Sequence, residues 1–422
     1  MTYPDSVRFL YSLGNEIKTA KLGLDSIAKL LAELGNPHAS LGFVHVAGTN
    51  GKGSVAAMIE SGLRAGGIRT GLFTSPHLLE PVERIQIDGR PVDAGVFSAA
   101  FERVHAAAEA LIARGVFEFH PTYFETVTAM ALLIFQERGV ECAVLEVGLG
   151  GRLDATNVVT PRLAVITAVD FDHEALLGRG LEAIAAEKAG ILKPGIPGVF
   201  ARQRPEVSGV LDRAAASAGA PVHRAADWRV EDLVLRPDGC SFRALGASDF
   251  EIDCPLAGEH QVENALAAAI ALDTLGLAKT AIREGIRRTR WPGRLQRISE
   301  SPQIIVDGAH NPAGARALAA HLDRFYGGKR ICLIYGAMRD KAVEEVAGIL
   351  FPKAARLILT AVAQARAVRP EVIRDLAGYP EAEISPSVAE ALDSFRRTAT
   401  GEDVAFVTGS LFLVGEALRH VT

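Results

Sequence analysis

A glycine-rich run, Val46-Ala47-Gly48-Thr49-Asn50-Gly51-Lys52-Gly53-Ser54, lies between an apolar stretch at residues 43–46 and apolar residues at helical spacing over 54–66. A strand that turns through glycines into a helix commits the chain to layered α/β structure, with the helix packed back on its sheet. It also makes an anion site. Glycines let several backbone N–H groups converge on phosphate oxygens, the helix N-terminus adds partial positive charge, and Lys52 can reach terminal phosphates. The run departs from the ordinary phosphate loop in two places. Val46 stands five residues before Gly51 where that pattern has glycine, and Gly53 separates Lys52 from the Ser54 hydroxyl. The competing reading is a strand-to-helix turn that binds nothing.

The remaining pattern supports the same class. Short strand-like runs at 43–46, 69–73, 142–147, 163–168 and 198–201 alternate with Ala- and Leu-rich helical stretches. That alternation predicts a mostly parallel sheet covered by helices, with ligands at the strand C-termini. Between 227 and 255 the pattern shortens around Pro237-Asp238-Gly239 and predicts a small antiparallel excursion; helical spacing returns at Gln261. Trp291-Pro292-Gly293-Arg294 then interrupts the helix, and new strands are expected at 303–307, 331–335, 357–360 and 404–408, with a helix over 313–325. The expected division is an ATP-binding domain over 1–296 and a smaller, Rossmann-like α/β domain over 297–422.

Composition narrows the partners. The 422 residues are 49% hydrophobic and carry a net charge of −5, so no chain-wide basic field attracts nucleic acid or anionic lipid. No segment approaches the roughly 20 apolar residues that span a bilayer, and the start of the chain does not read as a secretory signal. The four cysteines, Cys142, Cys240, Cys254 and Cys332, form no CxxC pair and read as buried reduced thiols. These features place the chain in the cytoplasm, with no nucleic-acid or membrane partner; no long apolar surface helix stands out, and a monomer is expected.

Other chemistry-bearing residues follow strands. Glu146 ends an apolar strand just before Val147-Gly148-Leu149-Gly150-Gly151, where an acidic residue can hold a magnesium ion against nucleotide phosphates. Taken singly, Glu146, Asp172, His173 and Lys188 are weak signals, because lone charged residues at strand ends are usually solvated or structural.

As an ordered set they are specific. GTNGKGS at 48–54, SPHL at 75–78, LEVGLGGRLDATN at 145–157, DH at 172–173, EKAGI at 187–191, PGR at 292–294 and DGAHNP at 307–312 resemble the folylpolyglutamate synthase and dihydrofolate synthase branch of the Mur ligase superfamily. LGL at 22–24, YGAMRDK at 335–341 and TGSLFLVGE at 408–416 extend the likeness over most of the chain. The resemblance implies an ATP-dependent ligase that joins L-glutamate to a pterin carboxylate, either dihydropteroate or a folyl-glutamate tail, through an acyl phosphate. A carboxylate is a poor electrophile, and phosphorylation gives it a leaving group.

The resemblance also assigns residues. Asn50, Gly51, Lys52 and Gly53 would hold the β- and γ-phosphates, with Ser54 beside them, and Lys52, Glu146, His173 and Lys188 would form the catalytic set. Ser75 and Glu146 would hold one Mg2+, and His173 with Lys188 a second; K+ is a further candidate ion. The lysine matching Lys188 is typically carbamylated in this family, which turns a repelling ammonium into an oxygen-bearing anion. Asn264, Arg294, Asp307 and His310 match the remaining ATP contacts, and Leu22, Gly23, Leu24, Asp25, Ser75, His77, Thr122, Leu153 and Asp154 the acceptor side. Asp25 is a departure, since many members carry glutamate there. A ligase for another carboxylate and a phosphate-loop switch without ligase activity are the alternatives; the switch leaves DGAHNP and GGRLDATN unexplained. Only 47 residues precede Gly48, too few for the extra UDP-sugar domain of cell-wall ligases.

Overall fold

The computed structural model describes residues 1–14, 23–339 and 342–421. Its first sheet joins β1 (Gly42–Ala47), β2 (Thr70–Phe73), β3 (Ile85–Ile87), β4 (Arg90–Pro91), β5 (Cys142–Glu146), β6 (Leu163–Ile166), β7 (Gly198–Phe200) and β8 (Val222–Arg224) in the order β4-β3-β2-β5-β1-β6-β7-β8. The six strands from β2 to β8 in that order pair in parallel, while β3 and β4 add an antiparallel edge. Every residue of β1, β5 and β6 is buried, as expected of central strands covered by helices on both faces. Because β2, β5, β1 and β6 are parallel neighbours, the loops that follow them open on one sheet edge. That edge is where ligands bind in doubly wound sheets.

Five of these strands match the expected runs. The other three, β3, β4 and β8, have two or three residues each and no apolar stretch to reveal them. Several expected boundaries also move, most by one residue. The loop helix starts at Lys52 rather than Ser54, β5 ends at Glu146, and β6 stops at Ile166. The residues after β6 turn into the phosphate loop instead: Thr167 Oγ1 donates to the Asn50 carbonyl at 2.8 Å, and Thr49 N–H donates to the Ala168 carbonyl at 2.9 Å.

The antiparallel excursion is a three-stranded sheet of β9 (Arg229–Arg236), β10 (Gly239–Leu245) and β11 (Asp249–Cys254), ordered β11-β10-β9. It shares a hydrophobic core with the loop helix Lys52–Ala65 and the Ala-rich helix His260–Thr274. A third sheet follows, made of β12 (Gln296–Glu300), β13 (Gln303–Val306), β14 (Arg330–Tyr335), β15 (Arg356–Thr360), β16 (Glu383–Ser385) and β17 (Asp403–Thr408). Its order is β12-β13-β17-β14-β15-β16, parallel except for the β12–β13 pair. The two strands missing from the sequence reading, β12 and β16, are its edges. All four cysteines are buried and unpaired, and no helix among the described residues is long and apolar enough to cross a membrane.

Candidate active site

The phosphate loop needs its glycines. Gly51 caps the helix Lys52–Ala65 with φ +88°, and a Cβ there would lie 2.2 Å from Asn264 Oδ1. Gly48 has φ +147°, and a Cβ would meet Thr167 Oγ1 at 1.9 Å. Both positions leave space only for a hydrogen. Lys52 folds back over this loop, its Nζ donating to the carbonyls of Gly48 and Thr49 at 3.2 Å each. Those two bonds hold the ammonium where the loop would receive phosphate.

Around the loop the strand ends supply an acidic and a basic wall. Glu146 at the end of β5 is buried, and its Oε2 accepts the Ser75 N–H at 3.2 Å. Burial pushes its carboxyl pKa up, against the pull of Lys52, the Ser75 N–H and Arg294. Lys188, on the helix Leu181–Ala189, is 4% exposed and donates to the Gly48 carbonyl at 2.8 Å, the same oxygen that Lys52 uses. Burial and then the Lys52 charge push the Lys188 amine down to about 7, with Asp172 and Asp154 pulling the other way. Ser75, Glu146, Asp172, His173 and Lys188 line one cavity of about 140 Å³ together with residues 48–53 of the loop.

The second sheet domain closes this cavity. Its DGAHNP segment follows β13, and Asn311 Nδ2 donates to Asn50 Oδ1 at 3.0 Å and to Asp172 Oδ2 at 3.4 Å. His310 Nε2 lies 3.8 Å from the same Asp172 oxygen. Asp307 is a structural tie within the segment: its two oxygens accept the N–H groups of Leu295 and Ala309 at 2.9 Å, so it fastens the PGR turn to the DGAHNP loop. Arg294, from that turn, lines both the 140 Å³ cavity and an adjoining one of about 430 Å³. The larger cavity runs from Asn50, Gly51 and Ser54 past Asn264 to His310, with Ala309, Ala317 and Leu318 as an apolar wall. A charged end and a partly apolar end in continuity suit a nucleotide, with triphosphate toward the loop and base toward the apolar wall.

All the residues expected to contact ATP therefore line these two cavities. Four residues outside that set join them. Asp172 and Asn311 form the contact between the domains. Gln261 orients Asn264 by accepting its amide at 2.9 Å, and partly exposed His260 adjoins Gln261 at 3.3 Å. The motifs DH and DGAHNP contained the first two; nothing local in sequence marks Gln261.

The acceptor side is more dispersed. Leu22 lies outside the described residues. Gly23 and Leu24 are partly exposed and lead into the helix Asp25–Glu33, where Asp25 bonds Lys29 at 2.7 Å on the surface. His77 is buried; its Nδ1 accepts from Arg84 Nε at 2.9 Å, which leaves Nε2 as the N–H facing the Tyr11 hydroxyl at 3.2 Å. Thr122 caps the helix Tyr123–Glu137, accepting the Glu125 N–H and donating to Glu125 Oε2 at 2.8 Å. Leu153 is partly exposed next to Asp154.

Asp154 is tied into its own loop. It is 4% exposed, and its oxygens accept the N–H groups of Leu149 and Thr156, as well as the Thr156 hydroxyl. Thr156 Oγ1, having given its hydrogen to Asp154, accepts from His45 Nε2 at 2.7 Å. This buried relay fixes the shape of the GGRLDATN loop, which passes beneath Lys188: a Cβ on Gly151 would come within 3.0 Å of the Lys188 carbonyl.

Comparison with known proteins agrees with this layout. A Mur ligase middle domain model matches residues 46–272, and a Mur ligase glutamate ligase domain model matches residues 293–411. A probable bifunctional folylpolyglutamate synthase/dihydropteroate synthase of Haloferax volcanii is 36% identical over 427 residues, covering 99% of this chain; the chain spans 50% of that relative's length. A dihydrofolate synthase/folylpolyglutamate synthase of Bacillus subtilis is 33% identical over 411 residues, 95% of each chain. Among solved structures, Mycobacterium tuberculosis folylpolyglutamate synthase complexed with ADP superposes with a TM-score of 0.92 at 32% identity, covering 99% of this chain and 98% of that one. E. coli FolC in complex with DHPP and ADP gives 0.88 at 30% identity, covering 99% and 97%. With both domain models in order and relatives alike over nearly the whole chain, this protein belongs to the Mur ligase superfamily, in its dihydrofolate synthase/folylpolyglutamate synthase branch.

Proposed function

We propose that this chain is an ATP-dependent ligase that adds L-glutamate to 7,8-dihydropteroate and to folyl-glutamate tails. The observation that carries the proposal is the continuous cavity in which the glycine loop of one domain meets Arg294, Asp307 and His310 at the head of the other. A phosphate-loop switch has no use for that second half.

In the first step an acceptor carboxylate oxygen attacks the γ-phosphorus of ATP, the bond to the β-phosphate oxygen breaks, and ADP leaves. The chain contributes position and charge: loop N–H groups and Lys52 meet the β- and γ-phosphates, and Arg294 offers a planar donor fork. In the second step the glutamate amine attacks the acyl carbon, loses a proton, and the tetrahedral intermediate expels phosphate. Asn311, holding Asn50 and Asp172 together, keeps the domains closed over the reacting groups and limits water entry.

The donor set fits Mg2+. The Glu146 carboxylate, the Ser75 hydroxyl and His173 face one enclosed space, and the raised pKa of buried Glu146 marks a carboxylate that a cation would stabilise. Glu146 with Ser75 would hold one ion and His173 with Lys188 another; bound there, Mg2+ neutralises phosphate charge. Lys188 as a bare ammonium does not fit. Its burial favours the neutral amine, the form that attacks CO2, and the carbamate so formed would face Lys52 as an anion opposite a cation. Lys188→Arg cannot form a carbamate and is expected to lose activity, while 13C-bicarbonate labelling should give a carbamate resonance in wild type only; an active Lys188→Arg enzyme would remove this role. The four buried, unpaired thiols support a reducing, cytoplasmic setting, and a monomer suffices because both halves of the cavity come from one chain.

The test is ADP release with ATP, Mg2+ and L-glutamate, adding 7,8-dihydropteroate or tetrahydrofolate. ADP coupled to a product one glutamate heavier establishes the ligase and shows which acceptor it takes. ATP binding without turnover on either would move the acceptor to another carboxylate.

A further inference from the structure

Outside the nucleotide cavity, His105 and Glu109 lie one turn apart on the helix Ala94–Ala113, and His120 faces them from the segment that leads into the helix Tyr123–Glu137. One ligand atom from each residue falls within 4.8 Å of the other two. His105 Nδ1 and His120 Nε2 are 3.2 Å apart, and Glu109 Oε1 is 4.0 Å from His105 Nδ1. Two nitrogens bound to one tetrahedral ion at about 2.0–2.1 Å sit about 3.3 Å from each other. The imidazole pair already has that spacing, and the half-exposed Glu109, 4.0 Å from His105 and within 4.8 Å of His120, needs to move by about 1–1.5 Å to share it.

The rings are also held in the right state. His120 Nδ1 lies 3.0 Å from the Pro121 carbonyl, an atom that can only accept, so Nδ1 carries the hydrogen and Nε2 presents its lone pair toward His105. A ligating histidine whose other nitrogen donates to a backbone carbonyl is the usual outer-shell arrangement of protein metal sites. His105 stacks on Phe101 at 5.5 Å with an 8° interplanar angle, and Phe9 lies 4.6 Å from His105 and 5.3 Å from His120. That packing has already fixed the ring rotamers, so an ion would not have to order them.

We propose that His105, Glu109 and His120 form a binding site for a borderline divalent transition metal such as Zn2+, separate from the Mg2+ chemistry of the active site. Two imidazoles and one carboxylate leave one of four positions for water and discriminate against Mg2+, which prefers all-oxygen octahedral shells. Binding needs only that His105 shift its hydrogen from Nδ1 to Nε2, with no net proton lost. The ion would staple the helix Ala94–Ala113 to the segment ending at Thr122, the cap of the helix that carries Tyr123, which stacks on Tyr11 at 5.9 Å. The site thus stiffens one wall next to the His77–Tyr11 contact.

The test is Zn2+ binding to full-length protein, measured by competition with a chromophoric chelator and by thermal unfolding with excess Mg2+ present. Wild type should bind one Zn2+ more than His105→Gln/His120→Gln, and its melting temperature should rise with Zn2+ but not with further Mg2+. Glu109→Ala, at a half-exposed surface side chain, should keep the fold and weaken that ion by about tenfold or more. Equal Zn2+ stoichiometry in wild type and the double variant, or undiminished affinity in Glu109→Ala, would overturn the site.

Discussion

Gly51→Ala tests whether the phosphate loop is shaped by the second wall of its cavity. An L-residue held at φ +88° costs about 1–2 kcal/mol. The new methyl would also sit 2.2 Å from Asn264 Oδ1, which is closer than any real contact, so Asn264 must leave its place. Doing so breaks its buried bond to Gln261 and leaves polar groups unpaired, a further cost of about 1–3 kcal/mol. The total, about 2–5 kcal/mol, falls on a loop that ATP binding must hold in one shape. At 1.4 kcal/mol per tenfold, loss drawn wholly from binding raises the KM for ATP by about 30-fold or more. The assay is ADP release against ATP concentration, with urea unfolding to detect any share taken from stability. Asn264→Ala separates the two costs, because it removes the overlapped atom and leaves the backbone strain. In that background Gly51→Ala should cost at least about 1 kcal/mol less than in wild type. An ATP KM within threefold of wild type with unchanged unfolding, or equal costs in both backgrounds, would refute the reasoning.

Asn311→Ala removes the amide that holds Asn50 and Asp172 across the domains and also the Oδ1 that caps the helix Pro312–Tyr326 by accepting the Gly314 N–H; the expected result is an ATP KM raised about 5- to 30-fold, together with about 1 kcal/mol of stability lost with the cap. Thr156→Val leaves the His45 N–H without a partner in a buried relay, while Asp154 Oδ1 keeps only the Thr156 N–H, and should lower the unfolding free energy by about 1–3 kcal/mol in denaturant titration. Stability should also fall on acidification from pH 6.5. Burial holds His45 near 3, His260 and His321 near 4 and His77 near 2, so all four stay neutral when folded, whereas the unfolded chain protonates them below about 6.5. The unfolded state then binds about four more protons at these sites, and they lower stability by about 5 kcal/mol per pH unit between pH 6 and 5. Unfolding midpoints at those two pH values check this, and His45→Gln should flatten the dependence by about a quarter.

The central strands and the site-bearing loops were legible for one reason: each is a local pattern. β1, β5 and β6 are buried on both faces, so their sequences must be apolar throughout, and the loops that follow them carry glycines that cannot be replaced without overlap. The strands that escaped notice lie at a sheet edge or next to one. β3, β4, β8, β12 and β16 run for two to five residues and face solvent on one side, so neither an apolar run nor a long alternation marks them.

What sequence reading left open is mostly a matter of which atoms a side chain has to spend. Asp154 stands in a glycine-rich loop, and its type and place suit a substrate contact. Only the fold shows its oxygens bonded to Leu149 and Thr156, so that it also shapes the loop. Asp307 is similar: it lines the larger cavity, and its bonds to Leu295 and Ala309 tie the PGR turn to the DGAHNP loop. Asp172 is the reverse case. Beside a histidine at a strand end it carries little signal alone, yet it is the carboxylate on which Asn311 and His310 of the other domain converge. The Asn50–Asn311 bond joins positions 261 residues apart, a separation at which no local pattern predicts contact. Both asparagines sit in motifs that are each recognisable alone, and their pairing explains why the two motifs occur in one chain: the phosphate loop is completed by the domain that closes on it.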